Sequence, residues 1–96
     1  MEITQIGKAL SSETRIKILD IVSENGHSSI ETFEKYGEEY EDDKRRETIY
    51  RELENLVKAG LLSKEYDETD SQIVYRLKHQ GLVINIDSVT VEPRDE

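Results

Sequence analysis

The sequence predicts a mainly α-helical fold carrying a small β-hairpin or sheet. Three observations lead there. Four segments in the first sixty residues space their apolar side chains at helical intervals behind recognisable caps. Gly60 then stands where a helix needs a left-handed residue to end. Beyond it the apolar period drops to two, and β-branched residues become common.

From Glu2 to Leu10, Ile3, Ile6 and Leu10 recur at i, i+3 and i+7 and predict a short first helix. Ser12 is the expected N-cap of a second, from Glu13 to about Glu24. Its Ile16, Ile18, Leu19, Ile21 and Val22 cover more than half the circumference, which predicts the buried centre of the domain. Ser28-x-x-Glu31 reads as a capping box opening a third helix, with Ile30, Phe33, Tyr36 and Tyr40 on one face and Gly37 interrupting the pattern. The acidic run EEYEDD (38–43) reads as a solvated loop in which Asp42 or Asp43 caps the next helix.

The most informative stretch is KRRETIYRELENLVKAGLL, from Lys44 to Leu62. Ile49, Leu53, Leu56 and Val57 form one apolar stripe, and Lys44, Arg51 and Lys58 stack on the opposite side, flanked by Thr48 and Asn55. Such a ridge of cations and small hydrogen-bonding groups suits phosphates and base edges in a major groove. It equally suits a solvated face held by Glu47–Arg51 and Glu54–Lys58 ion pairs, each contributing only about 0.2–0.5 kcal/mol.

After Gly60, residues 61–66 and 72–78 read as a hairpin around the polar turn DETDS. Residues 82–91, LVINIDSVTV, read as one further strand, and the tail beyond Glu92 as frayed. Residues 1–92 are therefore expected to form a single domain, with 93–96 outside it.

Ninety-six residues, 34% of them apolar, suffice for one modest core. The chain has no cysteine, which excludes disulfides and cysteine-based metal sites. With no 18-residue apolar run or signal-peptide pattern, the expected location is cytoplasmic. The net charge is −9, unevenly spread: residues 1–43 carry −7, residues 61–96 carry −4, and residues 44–60 alone are positive, at +2. Total charge bears on solubility, whereas a local patch determines where an anion docks. No phosphate loop, nucleophile elbow, zinc-ligand pair or calcium loop is present, and His27 and His79 stand alone in expected turns. Neither an enzyme nor a cofactor or metal is expected.

Three motifs fit together as a known architecture. ALSSETRIKILDIV, from Ala9 to Val22, resembles the opening of ArsR-type transcriptional regulators. ETIYRELENLVKAGLL, from Glu47 to Leu62, is similar to the recognition helix and following strand of ArsR, PadR and Fur-type repressors. YRLKHQG, from Tyr75 to Gly81, looks like the segment closing the wing in many of them. The resemblance covers about three quarters of the chain and implies a winged helix-turn-helix that binds double-stranded DNA as a homodimer, its fourth helix in the major groove.

Carried over position by position, the resemblance places Thr48, Tyr50 and Arg51 toward DNA, with Lys44, Arg45 and Arg46 at the helix start. Asn55 and Lys58 extend this surface on the helical ridge. Arg45 and Arg46 alternatively balance the acidic run before them, and Tyr50 alternatively packs on the hairpin. The sequence departs from the family at the wing tip, Asp67-Glu68-Thr69-Asp70, where DNA-gripping wings present Arg or Lys. It departs again in a longer segment before the fourth helix, in a C-terminal strand where PadR-like proteins continue as a helix, and in lacking the family's metal-sensing residues. The alternative function is an acidic winged-helix module that docks a basic protein and does not bind DNA.

Overall fold

A computed structural model of the chain describes residues 1–23 and 25–94. Four helices come first: α1 (Ile3–Ala9), α2 (Glu13–Val22), α3 (Ser29–Tyr40) and α4 (Arg46–Lys58). Two antiparallel hairpins follow, β1 (Leu62–Asp67) with β2 (Gln72–Leu77) and β3 (Gly81–Asn85) with β4 (Thr90–Arg94).

The caps explain where the helices begin. Glu2 accepts from the Thr4 and Gln5 amides, and Ser12 Oγ accepts from the Arg15 amide at 3.2 Å, as expected. The Ser28/Glu31 capping box forms with both reciprocal bonds at 3.2 Å. Helix α2 ends at Val22, two residues short of the expected end, and Glu24 lies outside the described residues. Gly37 does not break α3: a Cβ at this position would point into open space, and the helix runs on to Tyr40 before Glu41, at φ 50°, ends it.

Asp42 and Asp43 do not cap α4. Its N-cap is Arg45, without a side-chain cap bond, while Asp42 accepts from the Tyr36 hydroxyl at 3.0 Å and pairs with Lys44 at 3.8 Å. The acidic run is thereby folded against the start of α4 rather than left wholly to solvent.

Helices α2 and α4 supply the centre of the core. Ile18, Ile21 and Val22 meet Ile49, Leu53 and Leu56, with Ile6, Tyr36, Leu62, Tyr75 and Val91 around them. Two expected core positions face outward instead: Ile16 is 45% exposed and Ile30 47% exposed. Thr32 takes the buried place on α3, its hydroxyl donating to the Ser28 carbonyl at 2.8 Å. That bond spares the buried hydroxyl an unmet desolvation cost.

His27 is not a solvated turn residue. It is buried and bridges to β2, exchanging amide-to-carbonyl bonds of 2.9 and 2.8 Å with Tyr75, so a third strand of the first sheet is reduced to one residue. The single strand expected over 82–91 is a hairpin, because Asp87 accepts from the Ser88 amide and Val89 turns at φ 55°. β4 then extends to Arg94, so Pro93 and Arg94 belong to a strand rather than to a frayed tail, and Asp95 and Glu96 lie outside the described residues.

One side chain joins three of the helices. Arg15, on α2, donates to the Ala9 and Lys8 carbonyls at 2.9 and 3.0 Å, satisfying the open end of α1. Its remaining nitrogen meets the Glu52 carboxylate of α4 at 3.1 Å, both side chains being largely buried. Replacing Arg15 by Ala removes the side-chain donor from the Ala9 carbonyl and leaves Glu52 only its bond from Asn55 among the described residues, and is expected to cost about 1–3 kcal/mol. The loss should appear in the urea midpoint at unchanged slope.

Candidate nucleic-acid interface

The core stripe of α4 fixes which of its residues face away. With Ile49, Leu53 and Leu56 fully buried, Glu47, Arg51 and Lys58 stand exposed on the opposite side. Arg51 makes no hydrogen bond or ion pair among the described residues, and the expected Glu47–Arg51 pair does not form. The expected Glu54–Lys58 pair is also absent, because Glu54 is engaged by the hairpin. Both outward cations of the helix therefore lack a partner carboxylate within 4 Å among the described residues.

Lys44 departs from the expected ridge. It precedes the helix by two residues and pairs with Asp42, so it does not stack above Arg51. Arg45 and Arg46 are exposed at the N-cap and first turn, where side chains splay outward before the helical repeat takes hold. Tyr50 is half exposed over a shallow cleft shared by Ser29, Ile30, Lys64, Gln72 and Ile73, so α3, α4 and the first hairpin meet around its ring. Thr48 is half-buried. Asn55 donates to Glu52 at 2.7 Å and turns toward α1, lining a groove with Gln5, Lys8 and Lys58. The structure thus brings Arg45, Arg46, Thr48, Tyr50, Arg51 and Lys58 onto α4 and its start, and sets Lys44 and Asn55 to either side.

The hairpin β1–β2 is clasped to α4 by residues that sequence spacing did not pair. The Tyr75 hydroxyl donates to Glu54 at 2.6 Å, and Lys64 Nζ meets both oxygens of the same carboxylate at 2.9 and 3.0 Å. Those contacts, Tyr75 first and Lys64 second, hold the Glu54 carboxyl below its ordinary range, while burial and the Glu54 bond push the Tyr75 hydroxyl well up. On the hairpin's other face Arg76 pairs with Glu65 at 2.6 Å and donates to the Asn25 carbonyl at 2.9 Å. Both hairpin cations are therefore neutralised. The tip presents Asp67, Glu68 and Asp70, with Asp67 accepting from the Thr69 and Asp70 amides to make the turn.

Among solved structures the chain resembles the homodimeric winged helix-turn-helix DNA-binding domain of a possible ArsR-family transcriptional regulator from Mycobacterium bovis. The TM-score is 0.69 at 20% identity, over 82% of this chain and 66% of that one. The fold is a winged helix-turn-helix. The ferric uptake regulators of Vibrio cholerae and Pseudomonas aeruginosa, the latter solved with manganese, share it at TM-scores of 0.62 and 0.64 and 21% identity each. They align over 88% and 100% of this chain, and 68% and 76% of theirs. No family model matches the chain, and no curated protein matches its sequence. In this winged helix α4 leads directly into the wing hairpin β1–β2, and β3–β4 follows as a second hairpin. Among the described residues no three metal-ligating side chains cluster, and no helix is long and apolar enough to cross a membrane.

The clasp has a pH signature. A carboxyl held low in the folded state stabilises above its unfolded pKa, and the contribution disappears as pH falls through the folded value. Tyr75→Phe, which keeps the buried ring and removes the donor, is expected to cost about 1.5–3 kcal/mol at neutral pH. Urea titrations should show the gap from wild type narrowing as pH drops below about 4, near the ordinary Glu value.

Proposed function

We propose that this winged helix is a DNA-binding transcriptional regulator of the cytoplasm, acting as a homodimer with α4 in the major groove of double-stranded DNA. Supporting this reading is the free row of cations, Arg45, Arg46 and Arg51, in the one net-positive segment of a chain carrying −9. Arg51 and Tyr50, with Thr48 beside them, would face base edges; Arg45, Arg46, Lys44 and Lys58 would meet phosphates; Asn55 would contribute only by leaving Glu52. Residues 1–92 would act as one unit, with no catalytic step and no cofactor. Two-fold symmetry would set the recognition helices about 34 Å apart, one helical turn of DNA.

Binding sites selected from a random DNA pool test this directly. Arg51→Ala is expected to lose about 1–3 kcal/mol at the selected site and to relax preference at the base it contacts. Arg46→Ala should weaken all sequences alike and lower the salt slope by about one. Equal affinities for wild type and both variants at low salt would refute the reading.

The second reading, an acidic module docking a basic protein, draws on the neutralised Lys64 and Arg76 and the carboxylates at the wing tip. Electrostatics separates the two. If DNA is the partner, replacing Asp67, Glu68 and Asp70 together by Ser should raise DNA affinity and steepen its salt dependence, because three phosphate-repelling charges are removed. Unchanged DNA binding, together with lost association with a basic protein, would favour the second reading.

A further inference from the structure

The second hairpin carries no assigned role, yet Val83, Ile84, Ile86 and Val89 all stand exposed within its seven central residues, Ile86 at 79%. Among the described residues β3 pairs only with β4, so its outer edge offers backbone N–H and C=O groups without a strand partner. The two edges of this sheet differ in chemistry. β4 carries Glu92 and Arg94 around Pro93, which has no N–H to donate, and such charges and prolines discourage a further strand. β3 reads GLVIN, with neither a charge nor a proline. An uncharged edge is notable in a chain whose residues are 36% charged.

The edge is also self-complementary. A two-fold antiparallel pairing centred on Val83 sets Leu82 opposite Ile84 and Gly81 opposite Asn85, so no like charges meet across the axis. The same operation carries Ile86 of a second copy to the level of Gln80. There a groove of about 390 Å³ opens between α1–α2 and the β2–β3 junction, lined by Leu10, Ile16, Leu19, Leu77 and Leu82, with Asp20 and His79 also on its wall. A protruding apolar side chain at one end of β3 thus meets an apolar groove at the other, twice over, which is the requirement of an isologous interface. A basic partner would instead be drawn to the wing tip and to residues 38–43, where the carboxylates are.

We propose that two copies join through the outer edges of β3, forming a four-stranded sheet about Val83 with Ile86 of each copy seated in the other's groove. This rests on the homodimer reading above and specifies its seam, which also covers the outward-facing Ile16.

Sedimentation of the full chain, with circular dichroism to monitor folding, tests both levels. Val83→Lys brings two ammonium groups face to face and is expected to weaken the dimer about fivefold or more at unchanged dichroism, whereas Thr4→Lys on exposed α1 leaves it intact. Because the chain has no cysteine, Val83→Cys provides an independent probe. Residues opposite one another in antiparallel strands sit about 4.5–5.5 Å apart at Cα, within disulfide reach. Mild oxidation should therefore yield a covalent dimer from Val83→Cys and none from Glu92→Cys. A wild-type dimer that survives Val83→Lys, or that fails to cross-link through Val83→Cys, overturns the seam but leaves the homodimer standing. A wild-type monomer at high micromolar concentration overturns both.

Discussion

The fold depends on a single guanidinium, that of Arg15. A seven-residue helix such as α1 has four carbonyls without intrahelical partners and too few turns to hold itself together in water. Arg15 meets that need from α2 by taking the Ala9 and Lys8 carbonyls, and it uses its remaining capacity on Glu52. Helix α4 is therefore registered against α1 and α2 by a polar contact from a planar guanidinium, and not by apolar packing alone, which is direction-poor. Asn55 extends the network by donating to the same carboxylate.

From the other flank, Glu54 does for the wing what Glu52 does for the amino-terminal helices. Two acidic residues of α4, two positions apart and on opposite sides of its core stripe, are each consumed by an internal partner. The consequence for the surface is electrostatic. Of the three carboxylates on α4, only Glu47 stays in the open, while Arg51 and Lys58 have no ion-pair partner among the described residues. The net charge of a helix counted along its sequence thus understates how positive its outward face is. A chain that is acidic overall can present a cationic strip without adding a cation, by turning its anions inward.

What was legible in the sequence was whatever is decided within one helical turn or one strand pair. Ser12 and the Ser28/Glu31 box capped the helices expected of them, and Ile49, Leu53 and Leu56 are fully buried, because caps and stripes depend on spacings of three to seven residues. The three family-like motifs assembled into the winged helix that the solved structures share. The misreadings have separate causes. Lys44 looks alike inside a helix or just before one, and only its pairing with Asp42 fixes its place. Asp87-Ser88 is a short polar break inside a β-branched run, so two strands folded back on each other share the pattern of one. His27 carries no local sign of its burial because its bridge partner, Tyr75, is remote in sequence. The Glu54–Tyr75–Lys64 clasp was invisible for the same reason: it joins residues 10 and 21 positions apart, and no local pattern marks such pairs.

The two hairpins then show the same problem handled in opposite ways. Every small sheet has open edges, and an edge bearing charges resists further pairing, whereas a bare apolar one invites it. The wing places Lys64, Glu65 and Asp67 along β1 and carboxylates at its tip, and its inner flank is occupied by His27, so it is closed to further strands. β3 has none of these features, although the rest of the chain supplies charges in abundance. In a molecule of net charge −9, copies repel one another over most of their surface, so a close approach is cheapest where charge is locally absent. Self-repulsion elsewhere would then act as a selector, permitting association along one uncharged seam and opposing it in other orientations.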